Sequence, residues 1–484
     1  MPLSRRLTTA LGTATVTALA AITGAPPAVV AAPAPAHVTA ARDAASWLAG
    51  EFTDGALPGP FAPEDWGLTI DGLVALSATG VDAPTRQAAT AQVATHVRSY
   101  NSYDDWGIEG FTDGGATAKL LYAAAAADAD PTDFGGYDLR AETLSLIATA
   151  DAGHQRGRIT SRTTADSGPD ASNTFDQSFA VLGLARSGDL PQDPVDFLIR
   201  QQCAAGGFRL YPDAADGPSP SCDDQPGATL DVDSTAMAVQ ALLAAAEDGA
   251  TGAGDAARKG ADWLVTQQHA DGSFGGSGPT TGANSNSTGL AGQALAAAGR
   301  DDEAARAATA LAALQLTAGN GGAASADAGA IAYNTDGFTA AAAAGITDTD
   351  RDQWRRATAQ ALLGLAQVPL GRIGLDPPPT STPTPTGTAS PTAPSTPSAS
   401  PTLTTSPPPT GTAGPTPSVT SPPATPAPTT AAPATAAPPI TTPAASGPGG
   451  LPTTGVAIGS YLLIALLLIG GGVTLLVLGR RRAG

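Results

Sequence analysis

Lysine is almost missing from this 484-residue chain, occurring only at Lys119 and Lys259. Glutamate occurs six times, so nearly every carboxylate is an aspartate. Aromatic residues are 5% of the chain and charged residues 14%, so any core must come mostly from Ala, Leu, Val and Ile. Positive charge is scarce: 24 Lys and Arg face 43 Asp and Glu, and Arg5, Arg6, Arg480, Arg481 and Arg482 lie at the termini. Between the termini 19 basic residues face 43 acidic ones, a net charge of −24. Such a surface repels phosphate backbones and anionic headgroups, which excludes nucleic acid as a partner. There are only two cysteines, the histidines are isolated, and neither a G-x-S-x-G elbow nor a phosphate-binding glycine loop occurs.

What is present divides into four stretches. Residues 1–36 carry Arg5 and Arg6, an uncharged apolar stretch and a small-residue end at Ala34-Pro35-Ala36, the pattern of a secretory signal peptide. Residues 37–375 form one domain large enough for a substantial core. Residues 376–450 are almost wholly Pro, Thr, Ser, Ala and Gly, with Asp376 as the one charge, and read as a disordered or extended stalk. Residues 451–484 contain Leu451-Pro452-Thr453-Thr454-Gly455, an apolar run from Val456 to Leu478 and a tail of arginines. That run is long enough to span a membrane as one helix. The three parts in this order resemble the LPxTG sorting signal of Gram-positive surface proteins. The resemblance implies that a sortase cuts between Thr454 and Gly455 and links Thr454 to peptidoglycan. The mature protein is then a secreted, cell-wall-anchored chain whose precursor sits in the membrane.

The domain is built from repeats. Phe197-Leu198-Ile199-Arg200-Gln201-Gln202 precedes Gly206-Gly207-Phe208, and Trp263-Leu264-Val265-Thr266-Gln267-Gln268 precedes Gly272-Ser273-Phe274. Downstream of these, Asp231-Val232-Asp233-Ser234-Thr235-Ala236 and Asn284-Ser285-Asn286-Ser287-Thr288-Gly289 each open an apolar run. Weaker copies place helix-capping residues at Asp71, Asp113, Asp176, Asp233, Asn286 and Asp336, a period suited to a helix pair with a variable loop. The first helix of each pair is half polar. The second is nearly all Ala, Leu, Val and Gly, as expected of a helix buried on every side. The fold expected is all-α, a closed α/α toroid of about six helix pairs with the apolar helices inside.

The segment from Lys259 through Trp263, Leu264, Gln268 and Gly272 to Phe274 resembles the QW repeat of squalene and terpene cyclases, with Phe in place of the last Trp. The pattern also resembles protein prenyltransferases and, more distantly, the cobalamin carriers, all of which are α/α toroids. In class II cyclases a DxDDTA motif supplies a proton from its middle Asp. The resemblance implies Asp233 as that acid with Asp231 beside it, while Ser234 stands where the family has a third Asp. Prenyltransferases hold zinc with a Cys two residues after an Asp; here no Asp precedes either Cys by two, so neither metal nor cofactor is expected.

Against the acid stands a capping role. Asn286 occupies in the next repeat the place of Asp233, and Asn can cap a helix but cannot serve as an acid. On that reading Asp233→Asn is silent, while Asp233→Ala costs about 1 kcal/mol. The expectation drawn is a displayed toroid that binds a small molecule or partner without catalysis, through Asp71, Asp113, Asp176, Asp231, Asp233, Asn286 and Asp336. The alternative is a cyclase-like or glycan-acting enzyme that uses paired Asp residues. In an exported chain Cys203 and Cys222 should form a disulfide. Asp348-Thr349-Asp350-Arg351-Asp352 starts like a calcium loop but lacks its later ligands, and reads as a solvated turn.

Overall fold

The structure is a computed structural model that describes residues 33–214, 217–218 and 220–375. The chain's contacts divide it into two units, and all described residues belong to the first. The signal, stalk and sorting segments expected from the sequence lie outside the described residues, apart from the last few signal-peptide positions. Among the described residues no helix is long and apolar enough to cross a membrane.

In chain order the helices are α1 (Pro35–Gly50), α2 (Trp66–Thr79), α3 (Ala83–Thr95), α4 (Val97–Asn101), α5 (Gly114–Ala126), α6 (Leu139–Ser145) and α7 (Thr174–Arg186). There follow α8 (Gln192–Arg200), α9 (Val232–Glu247), α10 (Ala253–Gln267), α11 (Ser285–Ala297), α12 (Asp301–Ala313), α13 (Thr335–Ala344) and α14 (Arg351–Ala366). Strands among the described residues are two residues long and pair locally. Helices α2, α5, α7, α9, α11 and α14 each pack on the next, and α14 packs back on α2. Outside them α3, α6, α8, α10 and α12 lie against this ring, and α1 covers the seam between α14 and α2. Six inner and six outer helices thus make a closed α/α toroid.

The composition explains the layering. Nearly every residue of α5, α9 and α11 is buried, and Ala and Gly let neighbouring backbones approach closely. A Cβ on Gly289 would lie 2.5 Å from the Gln360 carbonyl, so α11 and α14 meet there only because residue 289 has no side chain. Outer helices such as α8 and α10 bury one stripe and expose the other.

The QW glutamine is the tie between repeats. Gln202 Nε2 donates to the carbonyls of Gly206 at 2.8 Å and of Ala256 on α10 at 2.9 Å. Gln268 does the same with Gly272 (3.1 Å) and Glu303 on α12 (2.8 Å). Gln315 binds Gly329 (3.1 Å) and reaches Ala40 on α1 (2.8 Å), where it closes the outer ring. A threonine one turn into the inner helix, or two turns into α14, is the other recurrent tie. Thr69, Thr235, Thr288 and Thr358 each accept from an incoming backbone N–H at 2.9 Å, those of Leu57, Phe208, Phe274 and Ile331.

One expected element is misplaced. The Ala-rich segment after Asp336 is a helix, but α13 lies at the periphery with only Ala341 buried. The sixth inner helix is α14. Its first turns are charged and close the ring by ion pairs: Arg351 and Arg355 bind Glu51 at 2.7 and 2.9 Å, and Arg356 binds Asp65 at 2.5 Å. The acidic turn before it is solvated at Asp348 and Asp350, while Asp352 pairs with Arg356.

The segment after α14 crosses the ring. Val368 O accepts from Gln293 on α11 (2.6 Å), Leu370 N donates to Gln240 on α9 (3.1 Å), and Leu370 O accepts from Tyr122 on α5 (3.0 Å). Ile373 O accepts from Arg186 at the end of α7 (2.7 Å). This strap covers the end where the inner helices finish. The chemistry gathers at the other end, where they begin.

Candidate active site

The heads of the inner helices need acceptors for backbone N–H groups that no helical carbonyl can reach. Asp65, Asp113, Asp231 and Asn284 supply them from the N-cap position, and Asn173 does so with Asp176 in a reciprocal capping box. Of the expected caps, Asp113 is one. Asp71, Asp233, Asn286 and Asp336 stand inside the helices, because a cap accepts from the residue three places on, and that pairing selects the earlier polar residue. Asp233 therefore does not cap α9. Asp231 does.

Asp231 is fully engaged. Its Oδ1 accepts from the Ser234 N–H and hydroxyl, both at 2.6 Å, and its Oδ2 accepts from the Ser277 hydroxyl at 2.7 Å. Asp233 is in the first turn and 2% exposed. Its Oδ1 is buried without any hydrogen-bond partner. Gly276, from the loop before α11, lies over the carboxyl: a Cβ there would sit 2.8 Å from Asp233 Oδ2. Burial, then the negative charge of Asp231, push the Asp233 carboxyl up to about 7, against the smaller opposing effect of Ser287. Two neighbouring carboxyls thus have different characters: one engaged three times as acceptor, the other able to hold a proton at neutral pH.

Asn286 has the same position on α11, and its Oδ1 is likewise buried without a partner. Asp113 and Asp176 form a second neighbourhood. Burial raises both; the charge of Asp170 raises Asp113 further, and the charges of Asp113 and Asp170 raise Asp176 further. Asp176 Oδ1 is buried without a partner and lies against Gly115, where a Cβ would come within 2.0 Å. Asp71 is taken up by Lys119 at 2.6 Å. Burial works against the Lys119 charge, but Asp71 and its neighbours outweigh it and raise the pKa. Asp336 is exposed on α13, apart from the inner helices.

Sequence reasoning missed Lys119, Ser277, Ser287 and Tyr333. Lys119 had a visible signal, being one of two lysines and set in an apolar run. Tyr333 is raised by burial and by the charge of Asp233, which places it at the site from the connection before α13. His154 and His269 are exposed, and His96 stacks on Trp66 at 4.0 Å. Cys203 and Cys222 are bonded, and Asp223, next to Cys222, accepts from the Ala204 N–H at 3.0 Å. Among the described residues no three His, Cys, Asp or Glu side chains come together as a metal site.

No family model and no curated protein matches this sequence. Solved structures do. A protein from Actinoplanes is 17% identical over 68% of this chain and 99% of its own, with a TM-score of 0.43. The GH76A α-1,6-mannanase of Salegentibacter sp. HEL1_6 is 12% identical over 68% and 99%, with a TM-score of 0.46. The type II terpene cyclase MstE from Scytonema is 14% identical over 69% and 98%, with a TM-score of 0.45. At these identities and scores no activity passes from them to this chain, and the toroid stands on the chain's own helix contacts.

Proposed function

We propose that this is an exported toroid, held to the cell wall through Leu451-Pro452-Thr453-Thr454-Gly455 by a sortase, whose inner-helix heads hold a small neutral molecule against Asp233 as proton donor. The observation that carries the reading is the Asp233 carboxyl: buried, pushed up to about 7, and with one oxygen unpartnered. A general acid needs a proton at working pH and an oxygen free to give it away. With Asp231 as the cap, the role that competed for Asp233 in the sequence is filled by another residue. The step is a transfer of the Asp233 proton to an alkene, epoxide or glycosidic oxygen, which leaves the Asp233 carboxylate beside Asp231.

A second reading, ligand capture without turnover, has Asn286 in its favour. The same position on the next helix carries a buried unpartnered oxygen that cannot donate an acid proton. The deciding experiment incubates the mature chain with linear isoprenoids, their epoxides and a panel of oligosaccharides, and compares it with Asp233→Asn. Product from the parent that is lost in the variant supports the acid. Binding by both with product from neither supports capture. For the anchoring, digestion of purified walls should release the protein without residues 456–484; recovery of the whole protein in membranes with those residues attached would refute it.

A further inference from the structure

The loops that lead from an outer helix into the head of an inner one lie at one end of the toroid, and they are long: 51–65 before α2, 102–113 before α5 and 201–231 before α9. The opposite end has the strap and short turns such as 80–82, 187–191 and 298–300. Among the described residues three aromatic side chains are largely exposed, and each belongs to one of the long loops: Phe61 at 90%, Trp106 at 52% and Tyr211 at 54%. All three are pinned. Phe61 is at the tip of a loop closed by the Asp65 N–H on Leu57 O (2.8 Å) and the Gly59 N–H on Ala62 O (3.1 Å). Trp106 sits in a turn closed by the Ile108 N–H on Tyr103 O (3.2 Å), and its ring meets Tyr103, which stacks on the buried Phe111 at 3.9 Å. Tyr211 follows Leu210, whose carbonyl accepts from the Thr174 N–H at the head of α7 (2.9 Å), in the loop that the Cys203–Cys222 bond closes. The three therefore stand at the heads of α2, α5 and α7, consecutive in the ring, and Asp233 is at the head of the next helix, α9.

We propose that this arc binds a neutral oligosaccharide, with Phe61, Trp106 and Tyr211 each against the C–H face of a sugar ring and the glycan running along the heads toward Asp233. This rests on the heads being the working end, and it names the ligand class there: a glycan, where Asp233 alone would also accept an isoprenoid. Three observations choose between them. The platforms stand singly on separate loops, which suits rings joined by polar linkages, whereas a hydrocarbon chain needs a continuous apolar wall. The three loops contain four, four and five acidic residues and one basic residue, Arg209, which is buried and bonded to Gln201 and Gln225. That field repels uronates, phosphates and diphosphates. The heads behind the platforms mix acceptors such as Asp113 and Asp176 with Asn173, Ser277 and Asn286, which donate as well as accept. Asp176 Oδ1, set against Gly115 where α5 and α7 meet, still lacks a donor. Sugar hydroxyls donate and accept, whereas a cation can only donate. Because the loops are pinned beforehand, little of their freedom is lost when a ring settles on them.

The test measures binding to the mature chain by calorimetry, with neutral tetrasaccharides of mannose, glucose and N-acetylglucosamine as probes and a galacturonate tetrasaccharide, hexalysine and farnesol as comparators. At least one neutral tetrasaccharide should bind, equally well in low and high salt because no charge pair holds it. Trp106→Ala and Tyr211→Ala should each weaken it about tenfold or more, as truncated aromatic anchors do. Trp106→Tyr, which keeps a ring, should retain most of the affinity. Far-UV circular dichroism checks that each variant is folded. Absence of binding by every neutral tetrasaccharide, or binding undiminished when Trp106→Ala and Tyr211→Ala are combined, overturns the proposal. So does hexalysine bound in their place with an affinity that collapses in salt, which would make the arc a cation site, or farnesol bound with the same losses in the variants. Binding and turnover separate the two readings. A neutral glycan bound without product keeps the arc and sinks the acid; isoprenoid turnover untouched by the variants keeps the acid and sinks the arc.

Discussion

Replacing Asp233 with Asn removes a charge that folding has to bury, and the effect on stability should depend on pH in a defined way. The carboxyl has an ordinary value of 3.8 and is pushed up to about 7 in the fold. Below about pH 4 the folded and unfolded chains both hold the proton, and Asp233 carries no charge penalty. Between about 4 and 7 the unfolded chain ionises first, so stability falls as pH rises. Above about 7 the folded chain is ionised too, and the full penalty is in place. A gap of about three pH units corresponds to an upper figure of about 4 kcal/mol. Asn keeps the shape and lacks the charge. Urea unfolding of parent and variant at pH 4 and pH 8, followed by circular dichroism, should give similar midpoints at pH 4 and a more stable variant at pH 8. A variant no more stable at pH 8, or displaced equally at both values, would refute the reasoning. Reading Asp233 as a cap predicts a silent variant instead, so the same measurement separates the two roles.

Asp231→Ala should cost about 1–2 kcal/mol through loss of the cap, seen as a lower urea midpoint at pH 5, whereas Asp231→Asn should recover most of it. Cys203→Ser with Cys222→Ser should cost about 3 kcal/mol in the chain-entropy model, since the bond closes a loop of sequence separation 19; equal melting temperatures of parent and double variant would contradict this.

How much of the molecule could be read in advance depends on how local its causes are. The Gly-turn and the glutamine before it recur because each glutamine must satisfy the turn's carbonyl and one on the next outer helix, so the repeat is written into neighbouring residues. The sixth inner helix escaped because its identity is settled by residues far apart in the chain. Arg351 and Arg355 meet Glu51, and Arg356 meets Asp65, across the seam of the ring, and that charge hides an inner helix behind an outer-looking start. Thr358 is the residue that betrays it, through the same bond to incoming backbone that Thr235 and Thr288 make.

The misplaced caps have a related cause. Asp231-Val232-Asp233 and Asn284-Ser285-Asn286 offer two polar residues two apart, and matching one repeat to the other pairs both positions equally well. Repetition therefore shows that a polar residue belongs at each place without showing which one reaches the backbone N–H groups. Geometry separates them: the earlier residue of each pair caps, and the later one is left with an oxygen that no backbone group can satisfy. For Asp233 the cover over the remaining oxygen is Gly276, from a loop more than forty residues downstream and next to the Ser287 hydroxyl of the following repeat. The residue's chemistry is thus set by the neighbouring repeat, and a motif confined to its own repeat could display the acid without displaying what makes it one.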